Sequence, residues 1–263
     1  MSLLRVDSLT KEFGGVRAVE NVSFSIPAGA VFSIIGPNGA GKTTLLNLLT
    51  GIYTPTSGRI LLDGRELTRC APYEYASLGI ARTFQNLQLF LNMSALENVM
   101  VGRYLHERCG LAASLLRFPA LARAERVARA EAEELMRYVG LADYLAAASD
   151  AMPYGSLKRL EIARALATRP RLLLLDEPAA GLNPTETLEI DALISKLARS
   201  GITVVLVEHN MRLVMGVSDH ILVLDYGRQL AEGTALEVRH DPKVIEAYLG
   251  SGAADFAARP ERL

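Results

Sequence analysis

Cysteine is scarce in these 263 residues: Cys70 and Cys109 stand far apart and form no C-x-x-C metal or redox motif, which suits a reducing cytosol. Charge of either sign is not in excess either. Twenty-eight Lys and Arg face 29 Asp and Glu, a net charge of −1, so a standing basic surface for nucleic acid is not expected. No apolar run approaches the roughly 18 residues that a membrane span needs. The opening Met1-Ser2-Leu3-Leu4-Arg5-Val6-Asp7 has neither a long apolar stretch nor a small-residue cleavage site, so a secretion signal is not expected. Any membrane association is expected to come through a partner. There is no internal repeat and no heptad pattern long enough for coiled-coil arms. What is left, 50% apolar and 22% charged, is a globular chain able to bury a full core in one large domain or two small ones.

What is present centres on Gly36-Pro37-Asn38-Gly39-Ala40-Gly41-Lys42-Thr43-Thr44, which fits G-x-x-x-x-G-K-[ST] at every fixed position. By chance those four positions coincide in roughly 0.01 of chains this long. The apolar run Ala30 to Ile35 before it reads as a buried strand, and Thr43 to Leu49 after it reads as a helix stopped by Gly51. Such a loop turns the backbone N–H groups of Gly36, Asn38, Gly39, Ala40, Gly41, Lys42, Thr43 and Thr44 toward an anion, helped by the positive end of the helix. Lys42 then neutralises the β- and γ-phosphates and the Thr43 hydroxyl ligates Mg²⁺. The rival reading is a glycine-rich turn with an exposed lysine; a strand before and a helix after argue against it.

Around this stretch, Leu3 to Leu9, Val19 to Ile26 and Arg59 to Gly64 read as short strands of an antiparallel sheet. Phe13, in the turn Phe13-Gly14-Gly15, stands where an aromatic ring would either stack on a purine or simply pack. Residues 94–148 are rich in Ala, Leu, Arg and Glu, strong helix formers, with breaks at Gly110-Leu111 and Phe118-Pro119. Within them Val127, Ala130, Glu134, Leu135 and Tyr138 lie near helical spacing. Leu172-Leu173-Leu174-Leu175-Asp176-Glu177 is a buried parallel strand ending in two acids, at the edge where open α/β sheets bind ligands. Asp176 suits Mg²⁺, and Glu177 suits the base that polarises water for attack on a γ-phosphate. A further strand, Ile202 to Val207, ends in Glu208-His209, which places His209 at the same edge and favours a γ-phosphate contact. His220 to Leu230 reads as two strands around a Tyr-Gly turn, and the tail 251–263 as a flexible end.

Taken together these landmarks resemble the ATP-binding subunits of ABC transporters over about residues 3–250. The similarity is greatest to bacterial branched-chain amino-acid importers, through Arg82-Thr83-Phe84-Gln85-Asn86, the helical insertion around 102–134, Gly181-Leu182-Asn183-Pro184 and Leu224-Asp225-Tyr226-Gly227. The resemblance implies an α/β P-loop NTPase core of mostly parallel sheet, with a flanking antiparallel β subdomain and an inserted helical subdomain. It implies one domain over 1–250: a core at 1–84 and 165–237, helices at 85–164 and a C-terminal helix at 238–250. Gln85 is implied as the sensor of γ-phosphate and Mg²⁺, Glu177 as the general base and His209 as the linchpin between phosphate, base and opposite subunit. Two ATPase subunits, identical or sister, are implied to sandwich ATP head to tail. The signature segment, with Tyr154, Gly155 and Ser156, then faces the partner's nucleotide. Implied partners are transmembrane permease subunits and, indirectly, an external binding protein; the implied place is the cytoplasmic face of the inner membrane.

The signature departs from the family's Leu-Ser-Gly-Gly-Gln. Pro153 replaces the serine and removes a hydroxyl and an N–H, Tyr154 replaces the first glycine, and Ser156 replaces the glutamine. Gly155 N–H and the Ser156 hydroxyl are then expected to carry the contact across the dimer. Asn183 stands where many relatives have Asp. Intact Lys42, Asp176, Glu177 and His209 argue against a partner that only binds ATP. A guanine-nucleotide switch lacks its Asn-Lys-x-Asp here, and a DNA-repair or ribosome ATPase lacks its arms or second head. Urea, short amides and other amino acids are the rival cargoes.

Overall fold

The computed structural model describes residues 2–106 and 119–252. Contacts divide the chain into two units, one of Met1–Arg82 with Arg171–Leu263, the other of Thr83–Pro170. The expected breaks lay after residues 84 and 164. The later end of the insertion has a local cause, since its last helix runs to Leu166 and the next strand begins only at Leu172.

In the first unit, β1 (Ser2–Phe13) and β2 (Val16–Pro27) form an antiparallel pair. Both outrun their apolar patterns. The extra length is a charged ladder in which Glu12 faces Arg17 and Arg17 Nε donates to Glu12 Oε1 at 2.7 Å. β3 (Val31–Ile35) leads into the phosphate loop and the helix Lys42–Leu49. Then come β4 (Ser57–Leu62), β5 (Arg65–Glu66), the helix Pro72–Ser77 and β6 (Ile80–Arg82). Past the second unit the chain returns as β7 (Leu172–Asp176), the helix Pro184–Arg199, β8 (Thr203–Val207), the helix Met211–Val217, β9 (His220–Asp225) and β10 (Arg228–Gly233). A single C-terminal helix was expected over 238–250, but two form, Ala235–His240 and Pro242–Gly252. Pro242 is the reason: it pushes the residue before it out of helical geometry, and Asp241 sits at φ −72°, ψ 119°. The rest of the tail, 253–263, the expected break at Gly110-Leu111, and Cys109 lie outside the described residues.

Among the described residues the strands make two sheets, ordered β2-β1-β4-β5 and β10-β9-β3-β8-β7-β6. The first is antiparallel. In the second, β9, β3, β8, β7 and β6 run parallel and β10 closes one edge antiparallel to β9. Strands buried on both faces read as near-continuous apolar runs, as β3 (with Ser33 its one polar residue), β7 and β8 do. Their side chains divide between two cores with a period of two. Leu222 and Leu224 of β9 join Phe32, Ile34, Leu45, Leu46, Leu172 and the inner residues of the antiparallel sheet. Ile221 and Val223 instead meet Ile35, Val214, Val238 and Val244.

The second unit is built on the helices Ala95–Gly102, Pro119–Tyr138 and Tyr154–Leu166. The stripe expected on the middle one is corrected here: Val127 is 47% exposed and Ala130 and Glu134 face out. Among its described residues Ala128, Ala132 and Met136 are buried, as is Val139 just past its end. Small side chains at 128 and 132 allow close helix approach, which weighs more than the size of one valine. Asn98 is fully buried and satisfied: its amide donates to Phe90 O (3.0 Å), Ser94 O (3.1 Å) and Ser149 Oγ (3.0 Å), and its carbonyl accepts from Phe90 N–H (2.9 Å). Asn98→Ala strands buried partners, each costing roughly 1–3 kcal/mol. A loss of about 3 kcal/mol is expected, read as a lower urea midpoint; an unchanged midpoint removes Asn98 from the stability of this unit. Among the described residues no helix is long and apolar enough to cross a membrane.

Candidate nucleotide site

The loop after β3 is shaped by what its glycines touch. A Cβ on Gly36 would lie 2.1 Å from Leu224 O, and one on Gly41 would lie 2.4 Å from Ala18 O. Gly41 also caps the following helix at φ 97°, in the left-handed region. The β9–β10 turn braces the loop from behind, with Gly227 N–H donating to Ala40 O at 3.1 Å. Lys42 Nζ donates to Gly36 O (2.6 Å) and Pro37 O (3.0 Å), folding back over the loop. Burial lowers the Lys42 pKa, and the negative charges of Glu177 and Asp176 work against that shift. Thr43 is exposed in the first turn of the helix.

At the end of β7, Asp176 is buried and its Oδ2 accepts from Arg82 Nη2 at 2.8 Å. The other arm of Arg82 donates to Asn47 Oδ1 at 2.6 Å, so one guanidinium joins the phosphate-loop helix to the acidic strand. Glu177 takes φ 49°, which costs a non-glycine residue about 1–2 kcal/mol. Its N–H donates to Val207 O at 2.8 Å, which pins the strained residue to the end of β8. His209 Nδ1 stands 4.0 Å from Glu177 Oε1. Beneath them Glu208, 1% exposed, accepts from Ala179 N–H (2.8 Å), His209 N–H (3.0 Å) and Asn210 N–H (3.2 Å). That one carboxylate ties the loop after β7 to the loop after β8. Arg82, Asn47 and Glu208 were not anticipated as site residues. Glu208 carried a signal, an acid at a strand end; Arg82 and Asn47 act through contacts distant in sequence.

Phe13 closes β1, half-exposed, with its ring edge-on to Tyr53 at 5.2 Å and Lys11 Nζ 4.9 Å from its centroid. Asn183 caps the helix Pro184–Arg199, accepting from Glu186 N–H at 3.0 Å, a task Asn and Asp perform equally well.

Gln85, Tyr154, Gly155 and Ser156 belong to the second unit. Gln85 is exposed on a bend and its carbonyl accepts from Lys158 Nζ at 3.1 Å. The signature helix starts after Pro153, with no described side chain capping it, so its first N–H groups remain available to an anion. Tyr154 is exposed. Ser156 is not: it is 4% exposed and its Oγ accepts from Arg159 Nη2 at 3.4 Å. The hydroxyl thus meets Arg159 of the same helix, where a contact across the dimer was expected.

Comparison with known proteins shows the family. The family described as ABC transporter matches residues 19–180, and that described as branched-chain amino acid ATP-binding cassette transporter matches residues 228–254. The chain is 47% identical to the high-affinity branched-chain amino acid transport ATP-binding protein BraF of Pseudomonas aeruginosa, over 94% of this chain and 98% of that one. It is 45% identical to LivG of Escherichia coli K12 over the same shares. Among solved structures, the ADP conformation of the ATP-binding cassette MJ1267 superposes with a TM-score of 0.83 at 33% identity, covering 95% of this chain and 99% of that one. A dimeric cassette, MJ0796 bound to ADP and Pi, gives 0.74 at 26% identity, covering 88% and 98%. The chain belongs to the ABC transporter family, as one of its ATP-binding cassettes.

Proposed function

We propose that this cassette binds and hydrolyses ATP to energise an importer of branched-chain amino acids. The observation that carries the cargo is the identity of 47% over 98% of BraF, with the match to the branched-chain family at residues 228–254. Residues 1–250 act as one cassette domain, with 251–263 as a tail. The cassette pairs head to tail with a copy of itself or a sister ATPase and docks on permease subunits at the cytoplasmic face, served by an external binding protein.

The loop N–H groups of Gly36, Asn38, Gly39, Ala40, Gly41, Lys42, Thr43 and Thr44 hold the phosphates, and Phe13 offers its half-exposed ring to the purine. Glu177 accepts the proton of the attacking water. His209 orients Glu177, a role that fits their 4.0 Å separation. Across the dimer, the N–H groups at Tyr154 and Gly155 face the partner's γ-phosphate. The donors Thr43, Asp176 and Gln85 are hard oxygens, as Mg²⁺ requires; it keeps several waters and takes few protein ligands. Bound there, Mg²⁺ would supply positive charge to the β- and γ-phosphate oxygens.

The test is ATP binding and phosphate release by purified chain, wild type against Lys42→Ala. Removing the one lysine that folds over the loop should weaken ATP binding at least about tenfold, each charge-assisted bond being worth roughly 1.5–3 kcal/mol. Natural binding and turnover in Lys42→Ala would refute the phosphate role of the loop. Uptake of leucine, and not urea, by vesicles holding the assembled transporter tests the cargo.

A further inference from the structure

We propose that the cavity between the helices Pro184–Arg199 and Met211–Val217 binds a small aliphatic amino acid as its zwitterion, the ammonium on Asp191 and the carboxylate on Arg212. The proposal goes beyond the function above and needs only residues of the first unit. Its ligand has the chemistry of the cargo inferred there. Leucine binding by the chain and leucine uptake by the assembled transporter are nevertheless separate measurements, so either can fail alone.

The cavity measures about 260 Å³. That exceeds the roughly 150 Å³ that holds a benzene ring and falls short of the roughly 300–1,000 Å³ of sites for larger ligands. Leu182, Leu188 and Leu213 supply apolar wall. The neutral polar lining is engaged locally, since Thr187 Oγ1 donates to Asn183 O at 3.0 Å and Asn210 Oδ1 accepts from Leu213 N–H at 3.3 Å. The charged lining is not. Asp191 Oδ1 is buried and accepts from no donor among the described residues, although buried polar atoms are as a rule bonded. Arg212 is exposed at the same cavity and does not bond to that oxygen. Burial raises the Asp191 pKa; Arg212 opposes the shift and Glu208 adds to it.

A desolvated carboxylate in this setting gains from a cationic donor. An ammonium supplies it, a carboxylate on the same carbon meets the guanidinium, and an aliphatic side chain covers the leucine wall. A bare cation would leave that wall wet and the guanidinium unmatched. A charged side chain on the ligand would meet apolar surface without a partner.

The test is leucine titrated into the purified full chain, with binding read by calorimetry and by the urea midpoint, which a ligand of the folded state raises. Saturable binding tighter than about 1 mM is expected. Asp191→Asn and Arg212→Gln should each weaken it at least about tenfold, the loss of one charge-assisted contact. Arg212 is exposed, so Arg212→Gln decides if Asp191→Asn does not fold. Isoamylamine and isocaproate, each carrying one half of the zwitterion, should also bind at least about tenfold more weakly than leucine. No saturable leucine binding up to about 10 mM overturns the proposal. So does wild-type affinity in either folded variant, or isoamylamine that binds as tightly as leucine.

Discussion

Glu177→Gln should cut the maximal rate of ATP hydrolysis by about 10²–10⁴-fold, the range associated with losing a positioned general base. ATP affinity should change little. The substitution is isosteric, so the backbone at φ 49° and its bond from Glu177 N–H to Val207 O have no reason to move. It removes one proton acceptor, the carboxylate whose Oε1 stands 4.0 Å from His209 Nδ1. A fall in the maximal rate with an unchanged dissociation constant is the signature of an interaction made only in the transition state. Single-turnover phosphate release alongside equilibrium titration separates the two quantities. A variant that turns over at the wild-type rate would take the base role from Glu177.

Arg82→Ala should be the most damaging single change to stability outside the hydrophobic cores. The Arg82 and Asp176 side chains are 6% and 8% exposed, with Nη2 to Oδ2 at 2.8 Å. Breaking such a buried pair by removing one partner costs roughly 3–5 kcal/mol, because a desolvated carboxylate loses its bonded guanidinium. The loss reaches further than the pair, since the same guanidinium holds Asn47 of the phosphate-loop helix at 2.6 Å. Lysine should not rescue, having no fork to span a carboxylate and an amide together. The same substitution made in an Asp176→Asn background should cost less than half as much, because no buried carboxylate then loses its guanidinium. Urea unfolding of the four variants closes the cycle, and equal costs in both backgrounds would mean that the pair adds nothing.

What could be read without coordinates was whatever a short stretch encodes by itself. The phosphate loop is nine consecutive residues, and the acidic strand is a run of leucines with two acids at its end. Each implies its own geometry through local rules: glycine where a Cβ has no room, apolar runs where both faces are covered. The Tyr-Gly turn between β9 and β10 was legible for the same reason. β6 was not, because a strand of three residues has no pattern of its own and exists only through its pairing with β7.

The remaining features were decided between distant parts of the chain. The inner face of the helix Pro119–Tyr138 follows its neighbours' shape, so Ala128 and Ala132 turned inward and Val127 outward. Ser156 looked like a ligand by its place in the motif, yet it is 4% exposed and bonded to Arg159 of its own helix. Arg82 meets Asp176 across 94 residues of sequence and Asn47 across 35, and Glu208 joins two loops across 29. The sequence by itself determined which chemistry the chain is built for, that of an ATP-binding cassette, because the phosphate loop and the acidic strand are local motifs. Only the tertiary structure decided which side chains hold that chemistry in place, because desolvation and pairing of charge depend on neighbours that residue order does not reveal.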